Sequence, residues 1–404
     1  MTSPARPTIG LRLPSHAGSS AIRLLDGVVE FTKEHGAWQL VSESFASAEL
    51  APSRIGVGWQ GHGVILFRAT EAELDDFGQR QIPVVLLSTE GPDHDFPRVL
   101  PDNQEAGKMA ATELLGLGHS SFAFVSRREI AASTGGIPPA FRYYARERLA
   151  GFRAELARHG ASPVVHYLPD VAREPEHDWQ SLESAMGAFL ETLPPRTGLF
   201  AVDDALANVA LRAAADRNLT VPDDLSIISF GDDPFLCQSS VPSLTSIGYP
   251  AHTIGYKAAQ ILARQLDHDH TTDDPLPRVP PGPVTHREST ATLTIDDPET
   301  ARLVRWIREM APHHAIQVAD LEEVSAWSPS TIKQRIKTYL GHTPKTEIKR
   351  VRLAHLTTML KDSEKSLGEI AAAMRFPSAH EMSRFFFRET GENPTSYRSR
   401  NRNH

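Results

Sequence analysis

Residues 328–350 read SPSTIKQRIKTYLGHTPKTEIKR, and residues 378–400 read SAHEMSRFFFRETGENPTSYRSR. At an offset of 50, Ser328 pairs with Ser378, Ile332 with Met382, Ile336 with Phe386, Gly341 with Gly391, Pro344 with Pro394 and Arg350 with Arg400. So many matched positions at one offset mark an internal repeat. Each copy reads as helix, tight turn, helix. In the first, Val318, Leu321 and Val324 share one helical face. Ser328 suits an N-cap and Pro329 the first helical position. Ile332, Ile336 and Leu340 step by four as a buried stripe, and Gly341 supplies a stop. Ser330, Lys333, Gln334 and Lys337 fall on the outer side. In the second copy Leu367, Ile370, Ala371 and Met374 precede a turn at Arg375–Pro377. Ser378 then caps a helix with Met382, Phe385 and Phe386 inward and Ala379, His380, Ser383 and Arg384 outward. Between the copies, Pro344–Lys361 can form one helix with Ile348, Val351, Leu356 and Leu360 inward. The two units span about 316–340 and 366–390.

A helix of this kind fits the major groove, with its first turns facing base edges. Gln, Arg and Lys there hydrogen-bond bases, flanking cations neutralise phosphates, and helix N-termini bind them too. Ser330, Lys333, Gln334, Lys337, Ala379, His380, Ser383 and Arg384 are therefore the candidate DNA contacts. A stiff linking helix could set both units in successive major grooves, about 34 Å apart. The competing reading is a plain helical bundle with a basic surface.

Charge points the same way. Residues 298–404 hold 18 of the 42 Lys+Arg and 12 of the 50 Asp+Glu, a net +6, while residues 1–297 carry −14. An acidic body with a basic end suggests a globular core joined to a module for a polyanion. The 404-residue length predicts two or three domains. The single cysteine excludes an intramolecular disulfide framework and a Cys-cluster zinc site. No run of about 20 apolar residues exists to span a membrane. The opening MTSPARPTIGLRL lacks the apolar segment of a secretory leader, so a reduced, cytoplasmic protein is expected.

The first 290 residues alternate short apolar runs with helical patterns. Expected strands are Ile9–Leu13, Trp38–Val41, Gly63–Phe67, Val84–Leu87, Phe122–Val125, Gly198–Val202, Ser226–Phe230 and Leu244–Ile247. Expected helices cover about 20–35, 103–117, 147–159, 179–192, 204–217 and 251–266. Such alternation predicts parallel sheets built from βαβ units, with strands buried on both faces. The length fits two α/β lobes with a cleft between them, helices on both sheet faces, followed by the all-α domain. Residues 8–290 form the first domain, 291–298 a linker and 299–404 the second. Thr285–Thr294 offers a last strand. The Asp-His-Asp-His tract at 267–270 reads as a solvated loop, so no metal is expected, and no cofactor motif is present.

Open parallel sheets bind ligands beyond the carboxyl ends of their strands. The residues there are Ser88, Asp203, Asp204, Asp232 and Asp233, with Arg148 opening a helix and Trp179 starting another. Carboxylates and a guanidinium fork suit vicinal hydroxyls, and an aromatic face suits a sugar's C–H surface. Each Asp is equally suited to cap a helix. That role is favoured for Asp204 and Asp233, while Asp203 and Asp232 stay between the two.

Residues 300–400 resemble the AraC-type DNA-binding domain of bacterial transcription regulators. The resemblance rests on the paired units, Arg352-Leu353, Ile370-Ala371, Phe376 and Gly391-x-x-Pro394-x-x-Tyr397-Arg398. Arg375 departs from it, standing where the family usually has Gly, at a turn position that favours glycine. Residues 8–290 resemble the effector-binding core of lactose-repressor-type regulators, which shares the fold of periplasmic sugar-binding proteins. Here the carriers are Arg148-Leu149-Ala150-Gly151-Phe152, Ala201-Val202-Asp203-Asp204, Val221-Pro222-x-Asp224-Leu225-Ser226-Ile227, Ser229-Phe230-Gly231-Asp232-Asp233 and Pro242-Ser243-Leu244-Thr245-Ser246-Ile247. That resemblance implies effector contacts from Arg148 and Asp232, a ligand set altered at Asp203, a weaker contact from Ser88 and a pocket aromatic in Trp179. It also implies a homodimer paired through the cores. The fused order resembles the xylose-operon type of regulator of enteric bacteria. Together these imply a sugar-responsive regulator of a carbohydrate-utilisation operon that binds double-stranded DNA. Activation is the expected sign, with repression or a non-sugar effector as alternatives and contact with RNA polymerase left open. An enzyme is not expected: Gly56-x-Gly58-x-x-Gly61 precedes its strand instead of following one, and no P-loop, HExxH or G-x-S-x-G occurs.

Overall fold

The computed structural model describes residues 6–13, 19–44, 54–88, 94–129, 143–170, 178–267, 277–291, 295, 297–362 and 365–402. The amino-terminal lobe is a four-stranded parallel sheet in the order β2-β1-β3-β4, built from Thr8–Leu13 (β1), Gln39–Ser44 (β2), Gly63–Leu66 (β3) and Val84–Leu86 (β4). Helices Ser19–His35 (α1), Glu71–Gln79 (α2) and Ala251–Leu266 pack on it. The second lobe is a six-stranded sheet. Its parallel members are Ser121–Arg127 (β6), Pro163–Leu168 (β7), Thr197–Ala201 (β8), Leu225–Gly231 (β9) and Thr245–Gly248 (β10), and Val284–Thr285 (β12) closes one edge antiparallel to β10. Leu100–Pro101 (β5) pairs with Arg278–Val279 (β11) where the chain passes between the lobes.

All eight expected strands form. Seven of them are apolar runs buried along most of their length, as strands covered on both faces must be, whereas Gln39–Ser44 is a more exposed edge strand. In the α/β core two substantial elements escape the sequence reading. Glu71–Gln79 is a helix because Thr70 and Glu73 form a capping box and Leu74 and Phe77 are buried. Pro163–Leu168 is the outermost strand, half exposed and opened by proline, so its apolar signal is diluted. The expected last strand at Thr285–Thr294 reduces to Val284–Thr285, followed by a single 3-10 turn at Glu288–Thr290, and residues 292–294 lie outside the described residues. Of the Asp-His-Asp-His tract only Asp267 is described, and no group of three metal-ligating side chains occurs among the described residues. No described helix is long and apolar enough to cross a membrane.

In the second lobe, Asn103–Gly116 (α3) and Tyr143–Arg158 (α4) lie backbone to backbone. A Cβ on Gly107 would stand 1.9 Å from the Arg148 carbonyl oxygen, and one on Gly151 would stand 1.9 Å from the Gln104 carbonyl oxygen. This contact fixes where Arg148 emerges. Arg148 lies inside α4, which begins four residues earlier than the sequence suggested. Trp179–Glu191 (α5), Asp204–Asp216 (α6) and Pro234–Ser239 (α7) complete the lobe, and Ala251–Leu266 becomes α8 in chain order.

Among the described residues the carboxyl-terminal unit holds seven helices: Pro298–Met310 (α9), Asp320–Val324 (α10), Pro329–Leu340 (α11), Pro344–Asp362 (α12), Leu367–Ala373 (α13), Ala379–Thr390 (α14) and Pro394–Arg402 (α15). Ile348 of α12 belongs to the core around Ile332 and Ile336, and Leu356 and Leu360 belong to the core around Met382 and Phe386. One helix thus serves two small cores. Arg352 pins them together: its guanidinium lies 4.3 Å from the Phe376 ring centre and donates to the carbonyls of Ala311, His314 and Met374. Arg375 adopts φ +55, the left-handed turn conformation its position demands.

Gly151→Ala should lower the stability of the core by about 1–3 kcal/mol, the usual cost of overpacking. Urea unfolding followed by circular dichroism measures this, and an unchanged midpoint would mean that α3 and α4 can part without cost.

Candidate effector cleft and nucleic-acid interface

The cleft is built from strand ends. Asp203 follows β8, caps α6 through a bond from the Leu206 amide, and receives Arg127 Nη1 at 2.7 Å from the end of β6. Burial would raise the Asp203 carboxyl, but Arg127 and the cap hold it below its ordinary value. Asp232 follows β9 in a left-handed conformation, φ +51, and accepts from Arg287 Nη2 and from the Thr285 hydroxyl, both at 2.7 Å. Asp203 and Asp232 therefore both lie just past the carboxyl ends of strands, and Asp203 is a cap as well. Asp204 is not the cap that the sequence suggested. It is buried beneath the turn, accepting from the Ser229 and Ser246 hydroxyls and the Asp233 amide, because Asp203 already occupies the capping position. Burial raises its carboxyl. Asp233 does cap its helix, through the Phe235 and Leu236 amides.

Arg148 is buried. Its Nε donates to Asn103 Oδ1 at 3.0 Å and its Nη1 to the Val202 carbonyl, and its guanidinium lies 3.9 Å from the Phe230 ring centre and 5.0 Å from that of Tyr144. Desolvation lowers its pKa to about 10. Tyr249 packs against the cores of both lobes, and burial pushes its hydroxyl up to about 12. Arg23, from α1 of the opposite lobe, reaches the Gly231 carbonyl at 3.5 Å. Ser88 lies after β4 with its carbonyl accepting from Arg98. Trp179 opens α5 and is 61% exposed, and among the described residues it makes no hydrogen bond or ring contact with Arg148, Asp203 or Asp232. Sequence reasoning missed Arg23, Arg127, Arg287, Thr285 and Tyr249. Arg127 and Tyr249, each two residues beyond an expected strand, carried a local signal.

The helical pair behaves as its residue types dictate. Ser328 and Ser378 cap α11 and α14, and Gly341 and Gly391 end them at φ +74 and +76. Ser330, Lys333, Gln334 and Lys337 are exposed on α11, as are His380 and Arg384 on α14, while Ala379 and Ser383 are half-buried. The Ser383 hydroxyl donates to the Ala379 carbonyl, and Arg384 pairs with Glu381 at 3.0 Å. No ion pair engages Lys333 or Lys337 among the described residues.

The two regions meet in a buried ion network. Glu347 of α12 is fully buried and receives Arg308 at 2.8 Å, Arg350 at 2.9 Å and His342 at 2.9 Å. Arg350 also reaches Glu113 of α3 at 2.9 Å, and Arg308 donates to the Gly116 carbonyl at the end of that helix. His286 stands 3.8 Å from the same Glu113. A cavity of about 310 Å³ lies along this seam, between Thr285, His286 and Thr290 on one side and Arg308, Arg350 and Ala354 on the other.

Comparison with known proteins agrees with this two-part construction. Residues 111–290 match the periplasmic binding protein-like domain family, and residues 321–400 match a helix-turn-helix domain family. The xylose operon regulatory protein of Escherichia coli K12 is 28% identical over 392 residues, covering 94% of each chain. That of Haemophilus influenzae is 26% identical over 303 residues, covering 75% of each. A solved structure of the xylose-binding transcription activator XylR superposes with a TM-score of 0.58 and 25% identity, over 99% of both chains.

Burial would raise the Glu347 carboxyl, but Arg350, His342 and Arg308 hold it well below the ordinary 4.5. A depressed carboxylate contributes stability that is complete above about pH 4.5 and is withdrawn as pH falls toward the depressed value. Glu347→Gln should therefore melt lower than the native chain at pH 7 and lose less on acidification below 4.5. Parallel acid losses in the two proteins, read by thermal melts across pH 3–7 in roughly half-unit steps, would contradict the network.

Proposed function

We infer that this chain, a homologue of the xylose operon regulatory proteins over 94% of its length, is a transcription regulator that binds double-stranded DNA and responds to a small carbohydrate. Residues 8–290 form the effector-binding and dimerisation core, 291–298 the linker and 299–404 the AraC-type reader. In this reading Ser330, Lys333, Gln334 and Lys337 face the first groove and Ala379, His380, Ser383 and Arg384 the second. The carrying observation is the pair of capped helices joined by α12 and fixed to the core through Glu347 and Arg350. Arg384 must exchange Glu381 for a DNA partner, whereas Lys333 and Lys337 need no such exchange, so the first unit should dominate phosphate contact.

The effector site comprises Arg148, Asp203 and Asp232, with Ser88 and Trp179 at its margins. A ligand can shift the lobes only by its differential affinity for the closed form. The core family supplies the expectation of a homodimer, whose geometry would then set the spacing of two readers on an operator. Activation is the sign this reading favours, in line with the transcription activator XylR that the chain resembles. The protein acts in the cytoplasm, without a cofactor and without catalysis.

A duplex selected by the full chain from a random pool tests the reading. Binding should weaken steeply with salt, because phosphate contacts release counterions. Gln334→Ala should cost about 1–3 kcal/mol on the selected duplex and relax the preference at one base position. Lys337→Ala should weaken selected and unrelated duplexes alike and flatten the salt slope. A salt-independent affinity would remove the helical pair from the interface.

A further inference from the structure

The charges of the cleft do not balance around a neutral ligand. Asp203 is engaged by Arg127, and Asp232 by Arg287 and Thr285. Asp204 points into the layer below, held by three donors. Glu147, beside Arg148 in sequence, is held by Arg278 through both its oxygens and accepts from Asn103 as well. Two guanidiniums are left without a direct ion pair, Asp203 and Asp204 favouring the charge of Arg148 only through space. Arg148 is buried and donates only to an amide oxygen and a backbone carbonyl. Arg23 makes a long contact with the Gly231 carbonyl, and its Nε is covered without a hydrogen-bond partner. Both lie close enough to Tyr249 to favour its ionised form against the effect of burial. A buried cation without a direct ion pair is costly, and a planar guanidinium fork is shaped for carboxylate or phosphate.

Resting on the reading of the core as a carbohydrate sensor, we propose that its effector is an anionic sugar, a monosaccharide acid or phosphate, whose charged group is received between Arg23 of one lobe and Arg148 of the other. The sugar hydroxyls then meet the outer oxygens of Asp203 and Asp232, already oriented by Arg127 and Arg287. An anion held from both lobes stabilises the closed form specifically, because the open form separates its two cations. A neutral sugar reaches the same aspartates but leaves Arg23 and Arg148 without a directly paired anion.

The full chain is titrated calorimetrically with D-xylonate, D-gluconate, D-glucuronate, D-xylulose 5-phosphate and D-glucose 6-phosphate, and with the neutral parents D-xylose, D-xylulose and D-glucose. An acid or a phosphate should bind at least tenfold more tightly than its neutral parent. Binding by acids alone identifies a carboxylate, and binding by phosphates alone identifies a phosphoryl group. Arg23→Gln, a half-buried position at which folding is retained more readily than at Arg148, should reduce that affinity at least tenfold. Arg148→Lys, which keeps the charge and loses the fork, should reduce it as well. A neutral sugar binding as tightly as its acid or phosphate overturns the proposal and leaves the sugar-sensor reading intact. Undiminished anion binding in Arg23→Gln also overturns it. Silence from the whole panel overturns the proposal and the sugar reading together, while the DNA-binding half is judged separately on the selected duplex.

Discussion

Glu347 has no contact with water, and this is the constraint on which the joint between core and reader depends. A carboxylate in that position is tolerable only if several donors replace its hydration. Arg308 and Arg350 supply them and are thereby fixed themselves, which lets each reach across to α3, one to Glu113 and one to the Gly116 carbonyl. The second contact places a cation at a helix C-terminus, where the peptide dipoles favour it. The reader is thus seated on the core through groups that cannot leave singly without stranding a buried charge.

The same economy of partners runs through the cleft. Thr285 and Arg287 hold Asp232, and His286 between them faces Glu113. Alternate side chains of one short segment therefore touch Asp232 and the ion network beneath the reader. Arg148 shows the complementary situation. Its aromatic neighbours Phe230 and Tyr144 and the close glycine contact of α3 and α4 fix its position, while none of them neutralises it.

Buried strands announce themselves as unbroken apolar runs, and Ile9–Leu13, Phe122–Val125 and Ser226–Phe230 form within two residues of where the sequence places them. The helical repeat is equally legible, because caps, stops and stripes are local. Pro163–Leu168 is less so, since an outer strand with exposed Val164 and Tyr167 has no buried pattern to read. The swap of roles between Asp203 and Asp204 was illegible for a related reason: either could cap, and three-dimensional packing of Ser229 and Ser246 decides which is buried. Arg23, Arg127 and Arg287 reach partners 208, 76 and 55 residues away. Isolated arginines in charged surroundings carry no periodicity, so only folded geometry separates them from solvated ones.

The amino-terminal lobe is not a continuous piece of chain. Leu24, Val28 and Phe31 of α1 are covered by the helix Ala251–Leu266, which is synthesised more than 200 residues later. At about 5–20 residues per second, the apolar face of α1 waits roughly 10–40 seconds on the ribosome for its cover. Most strands of the second lobe emerge during that interval. The reader leaves last, after both lobes can close. A nascent chain therefore completes its sensing half before it owns any surface that could occupy DNA. The face of α1 is meanwhile the segment that has most need of a chaperone.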